Sequence, residues 1–145
     1  MDIGVTTNHF EKINICLDQF ISSTCAHSIL LIDRSGQLIA HRGNRLKIDI
    51  LSLSALTAAN FGAVAEIARI LGEEEFTLLF QKGMNENVYF SLIGEHVIMV
   101  TLFDNNASLG LIRLEIDKII NELSKILSCI FEKKMVPKSC LTQTF

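Results

Sequence analysis

The stretch HVIMVTLF, residues 96–103, is apolar at almost every position. A strand with one wet face alternates apolar and polar residues, because successive side chains point to opposite faces. A strand without alternation needs cover on both faces. The runs ILLI (29–32) and LLF (78–80) read the same way. The chain therefore has to build a sheet with a helical layer on each side.

Three segments can supply those layers. Residues 6–23 place Phe10, Ile13, Leu17, Phe20 and Ile21 at helical spacing, with Thr6 or Thr7 as N-cap. Residues 49–71 form the second helix, with Asp49 as N-cap and Gly72 as the residue that stops it. The third starts near Ser108 and runs to about Lys134, with a stripe from Leu109 through Ile112, Ile116, Ile119, Leu123 and Leu127 to Ile130. Pro137 opens a tail, so one domain over 6–134 and a C-terminal tail over 135–145 are expected.

Five strands fit between the helices. AHSILLID (26–33) and GQLIAHR (36–42) form a hairpin through the turn Asp33-Arg34-Ser35-Gly36. EFTLLFQ (75–81), VYFSLIG (88–94) and HVIMVTLF follow, the last two joined by a two-residue type II′ turn at Gly94-Glu95. The fold class is α/β in the broad sense (α+β): a five-stranded antiparallel sheet in the order α-β-β-α-β-β-β-α. The second helix covers one face, and the first and third cover the other.

Composition narrows the function. Net charge is −3, so no broad basic field attracts nucleic acid or anionic lipid. No stretch approaches 18 uncharged apolar residues, so no membrane insertion is expected. The start MDIGVTTNHF lacks the basic and apolar regions of a signal peptide, and Cys16, Cys25, Cys129 and Cys140 form no CxxC pair. A cytoplasmic location with free thiols is the expectation.

Catalytic signatures are missing. HExxH, GxSxG and the phosphate-binding GxxxxGK[ST] do not occur. His9, His27, His41 and His96 are dispersed. Cys25 and His27 would share one side of a strand, which reads as a buried thiol beside a polar group rather than a metal pair. Glu73, Glu74 and Glu75 diverge at a solvated helix end. No enzyme activity, catalytic residue, metal or cofactor is expected.

The second helix carries the functional signal. Around SALTAANFGAVAEIA (54–68), Ile50, Leu53, Phe61 (or Asn60), Val64, Ile67 and Leu71 form a stripe suited to the sheet. Ala55, Ala59 and Ala63 recur every four residues, with Ala58 and Gly62 alongside, and no charge appears between Asp49 and Glu66. Such a helix is covered on most sides, and small side chains let another helix come close. With the other two helices committed to the far face, the covering element is expected to be the same helix of a second copy, where Asn60 either fixes register with its counterpart or bonds a backbone carbonyl. The strand beginning near Phe76 could be a sheet edge. Apart from Glu75 at its start and Lys82 just beyond it, FTLLFQ has no edge-protecting charge and no Pro, so pairing through Phe76, Leu78 and Phe80 would extend the same interface.

The segments ILLIDRSGQLIAHRG, LSALTAANFGAVAEIARILGE and VIMVTLFDNNASLGLIR, in the αββαβββα order, resemble the Roadblock/LC7 domain over roughly residues 8–130. The style is that of its bacterial single-domain members, the MglB-like regulators of small GTPases. The resemblance implies a homodimer through the Ala-rich helix and adjoining strand. It implies a small Ras-like GTPase as partner, activated without an inserted catalytic side chain. It places the GTPase-facing surface on the helix layer, at Asn60, Glu66 and Arg69, with Arg42 and Arg45 from the preceding segment. The alternatives are a scaffold or adaptor subunit that binds without changing GTPase rates, and a small-molecule sensor, which the absence of converging polar residues disfavours.

Overall fold

The computed structural model describes residues 3–44, 49–73 and 78–143, with side chains described over 8–44, 49–73 and 79–130. The elements are α1 (Ile3–Thr24), β1 (Ser28–Asp33), β2 (Leu38–Gly43), α2 (Ile50–Leu71), β3 (Leu78–Lys82), β4 (Glu86–Ile93), β5 (Val97–Asp104) and α3 (Leu109–Gln143). The strands form one antiparallel sheet in the order β2-β1-β5-β4-β3.

The unbroken apolar runs are explained by two cores. Ile29, Leu31, Met99 and Phe103 face α1 and α3, where they meet Ile13, Leu17, Phe20, Ile112, Ile116 and Leu123. Leu30, Ile32, Ile98, Val100 and Leu102 face α2, where Phe61 joins them. One helix on one face and two on the other is the expected arrangement. Phe61 meets Phe90 nearly edge-on, with ring centroids 6.1 Å apart and planes at 72°.

Local signals place the α2 side of the fold. Asp33 Oδ1 accepts hydrogen bonds from Ser35 N (3.0 Å), Ser35 Oγ (2.6 Å) and Gln37 N (3.0 Å), while Gly36 takes φ 98°. That turn leans on α2: a Cβ at Gly36 would lie 3.4 Å from Ala55 Cα and 3.7 Å from Ala58 Cβ. Asp49 caps α2 by accepting from Ser52 N, and Gly72, at φ 81°, donates its N–H to the Ala68 and Arg69 carbonyls.

Four local expectations are corrected. The α1 backbone is already helical at Ile3, so Thr6 and Thr7 lie within the helix; its β-branched residues carry only a small propensity cost. The β4–β5 connection is three residues, 94–96, because Ile93 pairs with Val97; Gly94 still supplies the positive φ, 62°. Cys25 precedes β1, exposed and left-handed at φ 61°, where its N–H closes α1 on Ile21 O, so it is not a buried strand thiol beside His27. Finally, α3 continues through Pro137 to Gln143 rather than ending near Lys134. A proline removes one helical hydrogen bond and bends the axis, and the residues around it here include no glycine to end the helix.

α2 is also, among the described residues, the one helix long and apolar enough by length and composition to cross a bilayer, with a mean hydropathy of 1.5 over its most apolar window. The sequence reading finds no such stretch because Glu66 and Arg69 interrupt the run. In this fold α2 is a layer over the sheet, with Ser54, Thr57, Phe61 and Ala68 buried beneath it.

Candidate interaction surface

The helix that caps the sheet covers it with an unexpected set of residues. Ser54 is fully buried, Thr57 is 2% exposed and Ala68 is fully buried; with Phe61 they make the sheet-facing line. Ile67 and Leu71, expected on that line, are 50% and 65% exposed. Ile50 and Leu53, half-buried, pack against the same core beside Phe61 as expected, and Val64 is half-buried. Leu51, Leu56, Ile67, Ile70 and Leu71 are left uncovered, an apolar patch on the outer side of the helix.

The expected seam residues follow this division. Ala55, Ala59, Gly62 and Ala63 are exposed, and Ala58 and Asn60 are half-buried. Ala55 and Ala58 have a second reason to be small, because the Gly36 turn rests on them.

The sheet has two edges, β2 and β3. β2 is guarded: its register slips between Leu31↔Ala40 and Ile32↔Leu38, a bulge that disturbs further pairing. β3 pairs with β4 on one side, and among the described residues nothing pairs with its other side. Phe76 and the Leu78 side chain lie outside the described residues. The Phe80 ring lies on the α1/α3 face, stacked on Phe103 (6.0 Å, 15°) and beside Tyr89 (5.8 Å), and is 40% exposed. Its side chain therefore faces away from α2, although its backbone belongs to the open edge.

The charged candidates separate. Glu66 and Arg69 sit together on exposed α2, with Arg69 Nη2 2.7 Å from Glu66 Oε1 and Nε 3.1 Å from Oε2. Each supports the other's charge: the pair lowers the Glu66 carboxyl and raises the Arg69 guanidinium. Arg42 is elsewhere. It pairs opposite Ile29, on the α1/α3 face, and makes a two-pronged bond to Asp18 of α1, both contacts 2.9 Å. Arg45 lies outside the described residues. The spacing of Arg42 from α2 in sequence gave no hint of this, but the β2 alternation that buries Ala40 toward α1 does.

Between α1 and α3 an open cleft of about 480 Å³ is lined by Cys16, Gln19, Phe20, Lys118, Ile119 and Glu122. Burial, with help from Glu122, pushes the Cys16 thiol up to about 11, so it stays protonated and donates to Glu122 Oε2 at 3.4 Å. This is unreactive chemistry.

An αββαβββα domain that leaves an apolar helix uncovered beside an unguarded sheet edge defines a class built for association. The Roadblock/LC7 domain model matches residues 12–103, and the chain belongs to the Roadblock/LC7 family. Among solved structures it is similar to Myxococcus xanthus MglB, at 40% identity and TM-score 0.80, covering 83% of this chain and 98% of that one. The gliding protein MglB of Thermus thermophilus is 30% identical with TM-score 0.77, covering 81% and 90%. A structure described as MglB with tetrameric arrangement is 30% identical with TM-score 0.78, covering 81% and 89%. A Roadblock/LC7 domain from Streptomyces avermitilis, 11% identical, shares the fold. No curated protein sequence matches the chain.

Proposed function

We propose that this protein is a cytoplasmic, homodimeric regulator of a small Ras-like GTPase, and that it accelerates GTP hydrolysis without contributing a catalytic side chain. The unit responsible is the domain over residues 6–134. The observation that carries the reading is the uncovered apolar circumference of α2 beside the open β3 edge, in a chain 40% identical to MglB. Burying that surface in a second copy removes the solvent exposure that a lone chain carries. Glu66 and Arg69 stand on the same helix as candidates for contact with the GTPase. Arg42 is turned to the opposite layer by Asp18 and is not part of that surface. Arg45 stays a candidate on sequence grounds.

The test has two parts. Ala59→Arg places a long cation on the uncovered face and is expected to convert dimer to monomer by light scattering; an unchanged dimer contradicts the helix-seam reading. Single-turnover GTP hydrolysis by a cognate Ras-like GTPase should accelerate when the protein is added. Stable binding with unchanged hydrolysis would make the protein an adaptor instead, and no binding removes the GTPase reading altogether.

A further inference from the structure

Between Asp49 and Gly72, α2 carries two charged side chains, Glu66 and Arg69, and they are bonded to each other. The rest of its uncovered surface is apolar, small or uncharged. Any charge-dependent recognition by this helix therefore passes through one ion pair.

The geometry of that pair is one-sided. Arg69 Nε donates to Glu66 Oε2 at 3.1 Å and Nη2 donates to Oε1 at 2.7 Å, so the carboxylate holds the side edge of the guanidinium. A guanidinium has five N–H groups, and this edge uses two of them. The others, on Nη1 and the far side of Nη2, bond nothing else among the described residues. They make up the end of the fork, a second edge at which arginine takes two oxygens together. The Arg69 side chain is 71% exposed. Its helical neighbours toward the N-terminus are Ala65, four residues back, and Gly62, seven back on the same flank. A Cβ at Gly62 would meet nothing within 4 Å. A partner can reach the fork from that flank without meeting a bulky side chain.

A free arginine samples many rotamers, and a partner that grips it has to freeze them. Glu66 restricts them beforehand without occupying the end of the fork. It also selects the ligand. Both a carboxylate and a phosphate offer paired oxygens, but a phosphate chain would set several negative charges beside the Glu66 carboxylate. A single carboxylate lets the guanidinium bridge two acids. Resting on the GTPase reading of α2, we infer that Arg69 anchors a carboxylate on the surface of the GTPase, and that Glu66 is its positioning residue, holding the guanidinium with its free edge turned away from the pair. On an otherwise apolar helix this contact supplies specificity, since a partner without the acid would leave the pair facing an apolar surface.

Titration with the GTPase loaded with a non-hydrolysable GTP analogue tests this. Arg69→Lys keeps the charge but loses the fork and should weaken binding by roughly 5-fold. Glu66→Ala removes a negative charge opposite an acidic partner, so charge alone would tighten binding. Loss of positioning should instead weaken it by roughly 3-fold. In an Arg69→Ala background, Glu66→Ala should have no effect. These positions are exposed, so melting temperatures should match the natural protein. GTP hydrolysis at saturating protein should be unchanged in Arg69→Lys, because no phosphate is touched. Natural affinity in Arg69→Lys, unchanged or tighter binding by Glu66→Ala, or a Glu66→Ala effect that persists without Arg69 overturns the inference while the GTPase reading stands. Slower hydrolysis by Arg69→Lys at saturation moves the guanidinium to phosphate and overturns the carboxylate anchor. A natural protein that binds no GTPase overturns the reading beneath both.

Discussion

Asp33 shows how much one turn residue carries. Burial pushes its carboxyl up, but the hydrogen bonds from Ser35 Oγ and the backbone amides of Gln37, Ser35 and Gly36 outweigh it and hold the group below its ordinary value of 3.8. A carboxyl lowered in the folded state stabilises above its unfolded value and loses that contribution as pH falls through the folded one. Asp33→Ala should therefore cost about 1–2 kcal/mol at pH 7 in urea titration, with the gap to the natural protein closing below pH ~3.8. Two glycines make a sharper contrast. Gly43 has φ 127°, and a Cβ there would lie 2.3 Å from His27 O and 2.6 Å from Ser28 Cα. Gly43→Ala should destabilise by at least about 3 kcal/mol. Gly62 meets nothing within 4 Å and sits inside α2. Gly62→Ala should stabilise by about 0.5–1 kcal/mol through helix propensity, read from the same urea midpoints.

At the scale of elements, α2 is where sequence and structure part most usefully. Its ends were legible because Asp49 and Gly72 do chemistry that only a helix terminus uses. Its orientation was half legible. Ile50, Leu53 and Phe61 face the sheet as expected, whereas Ile67 and Leu71, equally bulky, are exposed. The contact line runs through Ser54, Thr57, Phe61 and Ala68, with Ile50 and Leu53 packed beside it. Phe61 is thus the main filler between α2 and the sheet, and Phe61→Ala should cost about 3–5 kcal/mol in thermal or denaturant unfolding. α1 and α3 were easier to read. Their stripes of Ile and Leu coincide with the buried positions Ile13, Leu17, Ile112, Ile116, Leu123 and Leu127. Pro137 misled for a different reason: a proline bends a helix at a cost that neighbouring helical residues can absorb.

On the scale of the whole molecule, the layers separate jobs. The α1/α3 side holds the larger core, of Ile, Leu and Phe, and Arg42 with Asp18 and Cys16 with Glu122 pair within the chain there. The α2 side is unfinished. Distance along the chain could not place Arg42; its layer follows from the β2 alternation that puts it on the face of Ala40. The two sides make opposite predictions in a GTPase assay. Arg42→Ala should leave GTPase binding unchanged, whereas Arg69→Glu should weaken it by roughly 10-fold, measured by titration with the GTP-loaded partner.

The proposed function rests on α2 being covered by a second copy. Sedimentation equilibrium of the natural 16.2 kDa chain beside Ala59→Arg measures that directly. The account predicts twice the chain mass for the natural protein and the single-chain mass for the variant. A natural protein that sediments at 16.2 kDa throughout, or a variant that sediments as a dimer, contradicts it.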